Sequence, residues 1–248
     1  MSSLRATLPE VILTHTQIWS FERCTMGVHD GHRQRMKSRF LEVGLDGFND
    51  HNALEMLLFY ALPRKDTNEL AHKLLNHFGS LAAVLEADQK ALSEIDGIGE
   101  NAAVLLKLIP AISRRYMEEV TAPRKSVESA EQLGRYFIAK FMYFQDEVCY
   151  ALLLDNANRV ITCKQISKGV VNATEVGVRT LIELAMKYKA SGVIIAHNHP
   201  NGMPEPSRED EDCTVTVQNM LNVVGVKLID HIIVGDGVYY SLKQCGVM

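Results

Sequence analysis

Four side chains in the segment AHNHPNGMPEPSRED, residues 196–210, have the types and spacing to hold a metal ion and do chemistry with it. His197 and His199 follow the β-rich run GVIIA. On a strand, residues i and i+2 face the same side, so both imidazoles can address one ion. Asp210, eleven residues beyond His199, offers a carboxylate as third ligand. Three protein ligands leave a fourth position for water, the arrangement of catalytic zinc. Pro200, Gly202, Pro204 and Pro206 exclude regular structure between them, so a shaped loop returns the next helix to the strand end. Ser207 and Asp210 also read as a helix cap close to a capping box, and that reading is compatible with the first, because a capped helix holds Asp210 in place.

Zinc brings the pKa of a bound water from 15.7 toward ~7 and polarises a carbonyl, while a nearby carboxylate passes the proton to a leaving amine. That chemistry suits amide hydrolysis. Neither an H-E-x-x-H helix nor an H-x-E…P-C-x-x-C deaminase pattern is present. Two imidazoles and a carboxylate suit zinc among the divalent ions. Asp230-His231 lies in a predicted strand, either as a structural pair with its ring bonded by a neighbour or as a group orienting a ligand.

The elements that must position these residues are legible in outline. Residues Gly31–Val43 form a basic, amphipathic stretch, Asn52–Leu62 a helix stopped by Pro63, and Asn68–Phe78 a helix ended by Gly79. Short helical patterns follow through Leu85 and Leu92. TAPRKS, within residues 121–126, reads as a linker. Beyond it, EVCYALLL at 147–154 is strand-like, and Asp155–Asn158 turns into a second strand near Val160. A helix is predicted at Val178–Lys189, a buried strand at Gly192–His197 and a helix at Glu209–Val223. Lys227–Val234 and Val238–Leu242 form a hairpin across Gly235-Asp236-Gly237. The expected order is an N-terminal extension (1–29), an all-α domain (30–120), the linker, and an α/β or α+β domain (127–248).

The 248 residues carry 26 Lys plus Arg and 30 Asp plus Glu, a net charge of −4. Residues 1–124 hold 14 basic and 16 acidic residues and the remainder 12 and 14, so neither half binds nucleic acid mainly through charge. Five scattered cysteines without a C-x-x-C pair argue against a disulfide framework and for a reducing, cytoplasmic setting. No apolar run approaches the ~18–20 residues of a membrane span, and the N-terminus does not read as a signal peptide, so no membrane role is expected.

His-x-His, seven residues, Ser, two residues, Asp is the JAMM (MPN+) metalloprotease signature, filled by His197, His199, Ser207 and Asp210. GVVNATEVGVRTLIELAMKYKASGVIIAHNHPNG (169–202) and LIDHIIVGDGVYYSL (228–242) resemble the JAMM domain of the RadC family more closely. DGHRQRMKSRFLEVGLDGF and LEMLLFYALPRKDTNELAHKLLNHFGSLAAVLEA resemble that family's helical domain. The resemblance implies a cytidine-deaminase-like α/β fold and one Zn2+ per chain on His197, His199 and Asp210. It also implies an upstream glutamate as base, and Ser207 stabilising an oxyanion. Glu147, before the Cys-containing apolar segment, is the favoured base, with Glu175 and Glu183 as rivals. The substrate would be a peptide or isopeptide. Two departures stand out: Asn201 replaces a Ser usual in the family, and Val178-Arg179-Thr180 replaces Pro-Arg-Glu. Were that missing glutamate the base, Thr180 would leave the chain inactive.

LSEIDGIGENAAVLLKLIPAI, 92–112, resembles a helix-hairpin-helix, in which Gly97 and Gly99 would let backbone N–H groups approach a DNA phosphate. Glu100 stands where a cation would help, and Lys107 is the only cation before Arg114. The run His32, Arg33, Arg35, Lys37, Arg39 reads as a solvated face, and Arg64-Lys65-Asp66 as a turn with a local ion pair. The alternative to a hydrolase is therefore a DNA-repair accessory whose metal-stabilised domain binds rather than cuts.

Overall fold

Amphipathic repeats and capping residues set the helical part of the chain. The computed structural model describes residues 28–123, 126–169, 176–200 and 202–248. The extension expected at 1–29 falls almost wholly outside these, as do Glu175, Asn201 and the linker residues Arg124 and Lys125. The first helices are α1 (Val28–Val43), α2 (Asp50–Ala61), α3 (Asn68–Phe78), α4 (Leu81–Glu86), α5 (Gln89–Ser93) and α6 (Glu100–Thr121). Ser80 and Asp88 cap α4 and α5 by accepting from the amides of Ala83 and Ala91. Gly79, at φ 91°, ends α3 in the left-handed conformation that glycine adopts without strain. Leu54, Leu58, Leu74, Val84, Leu92 and Leu106 form the core of these helices.

Two sequence expectations are corrected here. The basic run on α1 is not simply a solvated face. Arg33 donates to the carbonyls of Leu62, Pro63 and Lys65 in the turn that follows α2. His32 donates to the buried Glu55 carboxylate (3.0 Å), and Arg39 bonds the Gly47 carbonyl. At Arg64-Lys65-Asp66 the turn is present but forms no ion pair among the described residues; Asp66 instead accepts from the Asn68 backbone amide (2.9 Å) at the start of α3.

Past the linker an unforeseen helix, α7 (Ala130–Phe141), precedes the sheet. Its N-cap Ser129 accepts from the Gln132 amide. The rest is a mixed α/β unit: β1 (Val148–Leu154), β2 (Val160–Lys168), α8 (Val176–Lys187), β3 (Gly192–His199), α9 (Arg208–Val223), β4 (Lys227–Gly235) and β5 (Val238–Ser241). The strand order is β2-β1-β3-β4-β5, with β3 and β4 parallel and every other pair antiparallel.

Side-chain alternation sorts the strands onto two faces. Leu152, Leu154, Ile194, Ala196, Ile232 and Val234 pack against Leu133 and Phe137 of α7. Ala151, Leu153, Val193 and Ile195 pack against Val178 and Leu181 of α8 and Val217 and Leu221 of α9. Continuing the second set by steps of two along β3 brings His197 and His199 to the α8/α9 face. Because β1 runs antiparallel to β3, its first residues lie at the same end of the sheet, with Cys149 opposite His197.

Candidate metal centre

Three ligand atoms, one each from His197, His199 and Asp210, lie within 4.8 Å of one another. The two Nε2 atoms are 3.0 Å apart; His197 Nε2 is 3.2 Å from Asp210 Oδ1, and His199 Nε2 is 3.6 Å from Asp210 Oδ2. A tetrahedron with bonds of ~2.0 Å has edges of about 3.3 Å, which these separations bracket. His197 is buried, and His199 and Asp210 are half-buried. Donor types and spacing both fit a divalent ion of the zinc class.

The loop and the following helix aim each ligand. Ser207 N-caps α9 in a complete capping box: its hydroxyl accepts from the Asp210 amide (3.1 Å) while its own amide donates to Asp210 Oδ2 (2.8 Å). The same hydroxyl donates to Oδ2 at 2.6 Å. Capping and ligand placement are thus one structure. Burial alone would raise the Asp210 carboxyl, but the His197 ring and the Ser207 hydroxyl and amide hold it well below the usual carboxylate range. His199 Nδ1 donates to the Met203 carbonyl (2.8 Å), which fixes its ring from inside the loop.

His231, on β4, contacts His197 Nδ1 through its Nε2 (2.9 Å) and Thr214 Oγ1 through its Nδ1 (2.6 Å). Burial, and then the neighbouring His197, pushes the His231 ring down to about 3, so it stays neutral. Its partner Asp230 faces the other way and is structural: its carboxylate accepts from the amides of His231 and Lys243 and from the Ser241 hydroxyl. The pair therefore divides, one residue holding the strand end and the other holding a ligand ring.

A cleft of about 460 Å3 opens over the cluster, lined among others by Glu147, Ser207 and Glu209. Glu147 is half-buried just before β1. Asn198, between the two histidines but on the opposite face, accepts from the Val148 amide (2.8 Å) and donates to the Asp146 carbonyl (3.1 Å). These bonds pin the backbone on both sides of Glu147. Of its rivals, Glu183 is exposed on α8 and paired with Arg179 (2.9 Å), and Glu175 lies outside the described residues. Cys149 and Cys213 also line the cleft; burial raises both thiols, which makes them poor nucleophiles.

Gly97 and Gly99 belong to the α5–α6 connection in the helical part. Gly97 has φ 100°, Ile98 is buried in the helical core, and Gly99 is the N-cap of α6. Lys107 donates to the carbonyls of Leu85 (3.4 Å) and Glu86 (3.0 Å), so its ammonium is spent on the end of α4. Sequence reading missed Asn198, Thr214 and Glu209 as residues of the site. The available signals were a polar residue inside a buried strand, and positions one helical turn from, or next to, Asp210.

The His-His-Asp cluster thus stands at the carboxyl end of β3 in a mixed sheet. Residues 127–247 match the family profile of the RadC-like JAB domain. A UPF0758 protein of Pseudomonas syringae pv. tomato is 34% identical over 215 residues, 87% of this chain and 96% of the relative. One from Fusobacterium nucleatum subsp. nucleatum is 33% identical over 227 residues, 89% of this chain and 98% of the relative. The chain belongs to the RadC family.

Proposed function

We propose that this protein is a zinc-dependent hydrolase of the JAMM type, acting on an amide or isopeptide bond. The observation that carries the reading is the convergence of the His197, His199 and Asp210 ligand atoms at the floor of a cleft that Glu147 also lines. A zinc ion on these ligands supplies an acidified water and a Lewis acid for the substrate carbonyl. Glu147 accepts the water's proton as the new C–O bond forms, and delivers it to the nitrogen as the C–N bond breaks. Ser207 offers its hydroxyl to the developing oxyanion, exchanging its bond to Asp210 Oδ2 for one to substrate. The arrangement of sheet and helices supports a cytidine-deaminase-like fold. The break between α6 and α7 supports a division into two domains near residues 121–126. Among the described residues no helix is long and apolar enough to cross a membrane.

The test has two parts. Full-length protein should carry about one zinc per chain, lost in His197→Ala. On a panel of isopeptide-linked fluorogenic peptides, Glu147→Gln should abolish turnover while keeping the zinc. Wild-type zinc content in His197→Ala would sink the metal site, and undiminished turnover in Glu147→Gln would sink the base.

A second reading, contact with a DNA backbone through a helix-hairpin-helix, draws support from Gly97 at φ 100° between α5 and α6. Glu100 lies in the first turn of α6, where a phosphate would sit. Glu100→Lys should therefore tighten salt-sensitive binding of the full chain to linear or branched DNA. No salt-sensitive binding by either protein would refute this reading.

A further inference from the structure

The cleft over the metal cluster does not stop at the ligands. Ile195 lies two residues before His197 on the same face of β3, and Val217 lies two turns along α9 from Asp210, so both elements carry the cleft inward from the metal. There it is lined by Ile166 of β2, by Gly177, Val178 and Leu181 of α8, and by Ile195 and Val217. Val178, Leu181, Ile195 and Val217 are all buried. Buried side chains are normally packed on every side, and protein interiors leave few voids larger than one water. These four instead face a cleft of about 460 Å3, a volume within the ~300–1,000 Å3 usual for ligand sites.

Two features of the backbone keep this inner chamber open. Gly177 is buried in the first turn of α8, yet a Cβ placed on it would meet no described atom within 4 Å. Across the cleft, β1 and β2 slip in register: Cys149 lies opposite Ser167 and Tyr150 opposite Gln165, which leaves Ile166 as an extra residue. This bulge brings two consecutive residues, Ile166 and Ser167, to the cleft, where plain alternation would send one of them to the other face. The carboxylates of the cleft, Glu147, Glu209 and Asp210, belong to its metal end, and among the described residues no Lys or Arg lines it. The chamber therefore offers apolar contact and no partner for a charge.

We propose that this chamber is a specificity subsite, which takes an aliphatic side chain from the residue whose carbonyl is attacked. That residue is common to peptides and isopeptides. Its side chain can end in a chamber floored by Leu181, Ile195 and Val217, whereas the stem of a linked lysine must continue into its own main chain. The inference rests on the hydrolase reading above and adds the class of substrate: a leucine-like residue, rather than glycine or a charged one, at the acyl side of the cut.

Methyl 1H–13C spectra of the full-length protein, titrated with N-acetyl-leucinamide and N-acetyl-glycinamide, read the chamber directly. The leucine compound should shift the methyls of Ile166, Val178, Leu181 and Val217, and the glycine compound should leave them in place. Gly177→Leu fills the chamber from a helical position where leucine is the better helix former, and should abolish those shifts. In zinc-loaded protein, substrates differing only in the residue that supplies the carbonyl should show kcat/KM roughly ten- to hundred-fold higher for Leu than for Gly, the effect of burying one such side chain. Gly177→Leu should erase that preference. Methyl shifts absent from the wild type, equal for the two amides or unaltered in Gly177→Leu would overturn the subsite, as would equal kcat/KM for the Leu and Gly substrates. Leucine-specific shifts without turnover of any substrate would instead refute the hydrolase reading and leave the chamber standing as a binding site for aliphatic side chains.

Discussion

Gly235 ends β4 opposite His199, and its missing side chain is what lets the ligand loop lie against the strand. A Cβ at this position would fall 2.2 Å from the Gly202 carbonyl oxygen, 2.9 Å from the Met203 carbonyl carbon and 3.0 Å from the Pro204 nitrogen. All three are backbone atoms, so no side-chain rotation relieves the clash. A carbon and a carbonyl oxygen need about 3.3 Å, so Gly235→Ala must push the loop away by about 1 Å. Met203 travels with it. Its carbonyl is the acceptor for His199 Nδ1 at 2.8 Å, and an added ångström takes that bond beyond hydrogen-bonding range. Overpacking of this kind costs about 1–3 kcal/mol, a fall in Tm of roughly 2–10 °C for a chain of this size. The freed His199 ring should weaken zinc binding about tenfold or more. Gly237, two residues on in the same turn, is the control. It has φ 71° with open space around its Cβ position, so Gly237→Ala carries backbone strain of about 1 kcal/mol and leaves the loop untouched. Differential scanning fluorimetry of the metal-free proteins and zinc competition titration measure both effects. If Gly235→Ala and Gly237→Ala bind zinc equally well, the loop does not hold His199 and the reasoning fails.

Three further outcomes are expected. Below about pH 6.5 an unfolded His231 takes up a proton that the folded ring, held down to about 3, refuses. Urea unfolding of the metal-free protein should therefore show stability falling as the pH is lowered through that window, by on the order of 1 kcal/mol per unit, and His231→Phe should flatten the slope. Ser207→Ala removes the cap of α9 and should cost about 1 kcal/mol in the same assay while weakening zinc binding; retained stability would show the cap to be idle. Gly134→Ala would set a Cβ 2.2 Å from the Tyr239 ring, forcing α7 off β5, and should lower Tm by several degrees with little change in zinc affinity.

How much of this was legible in the sequence varied with the physics involved. Strand ends, the Gly79 stop and the Ser207 cap were readable because each is decided locally, by periodicity or by a backbone bond to a near neighbour. The clustering of His197, His199 and Asp210 was readable for the same reason. Helix α7 carries an apolar stripe, Leu133, Tyr136, Phe137 and Phe141, but between a linker and a strand-rich run that stripe does not stand out as a helix. The duties of Arg33 and His231 were not legible. Arg33 answers to carbonyls thirty residues away, and His231 to a ring on a neighbouring strand 34 residues back. A charge run and a buried Asp-His pair look alike whether their partners are solvent or a distant backbone; the packing of α1 beside the end of α2 decides the first, and the register of β3 against β4 the second.

The ligand set is compact in the chain as well as in space: His197, His199 and Asp210 all fall within fourteen consecutive residues. Unfolding leaves those three groups tethered close together, so the denatured chain retains some grip on the ion. Ligand-induced stabilisation depends on the preference for folded over unfolded protein, and any binding to the latter subtracts from it. Saturating zinc should thus raise Tm by less than its affinity for the native protein would suggest. The surplus that remains measures what His231, Thr214 and the docked loop contribute, because those are the groups that unfolding carries away.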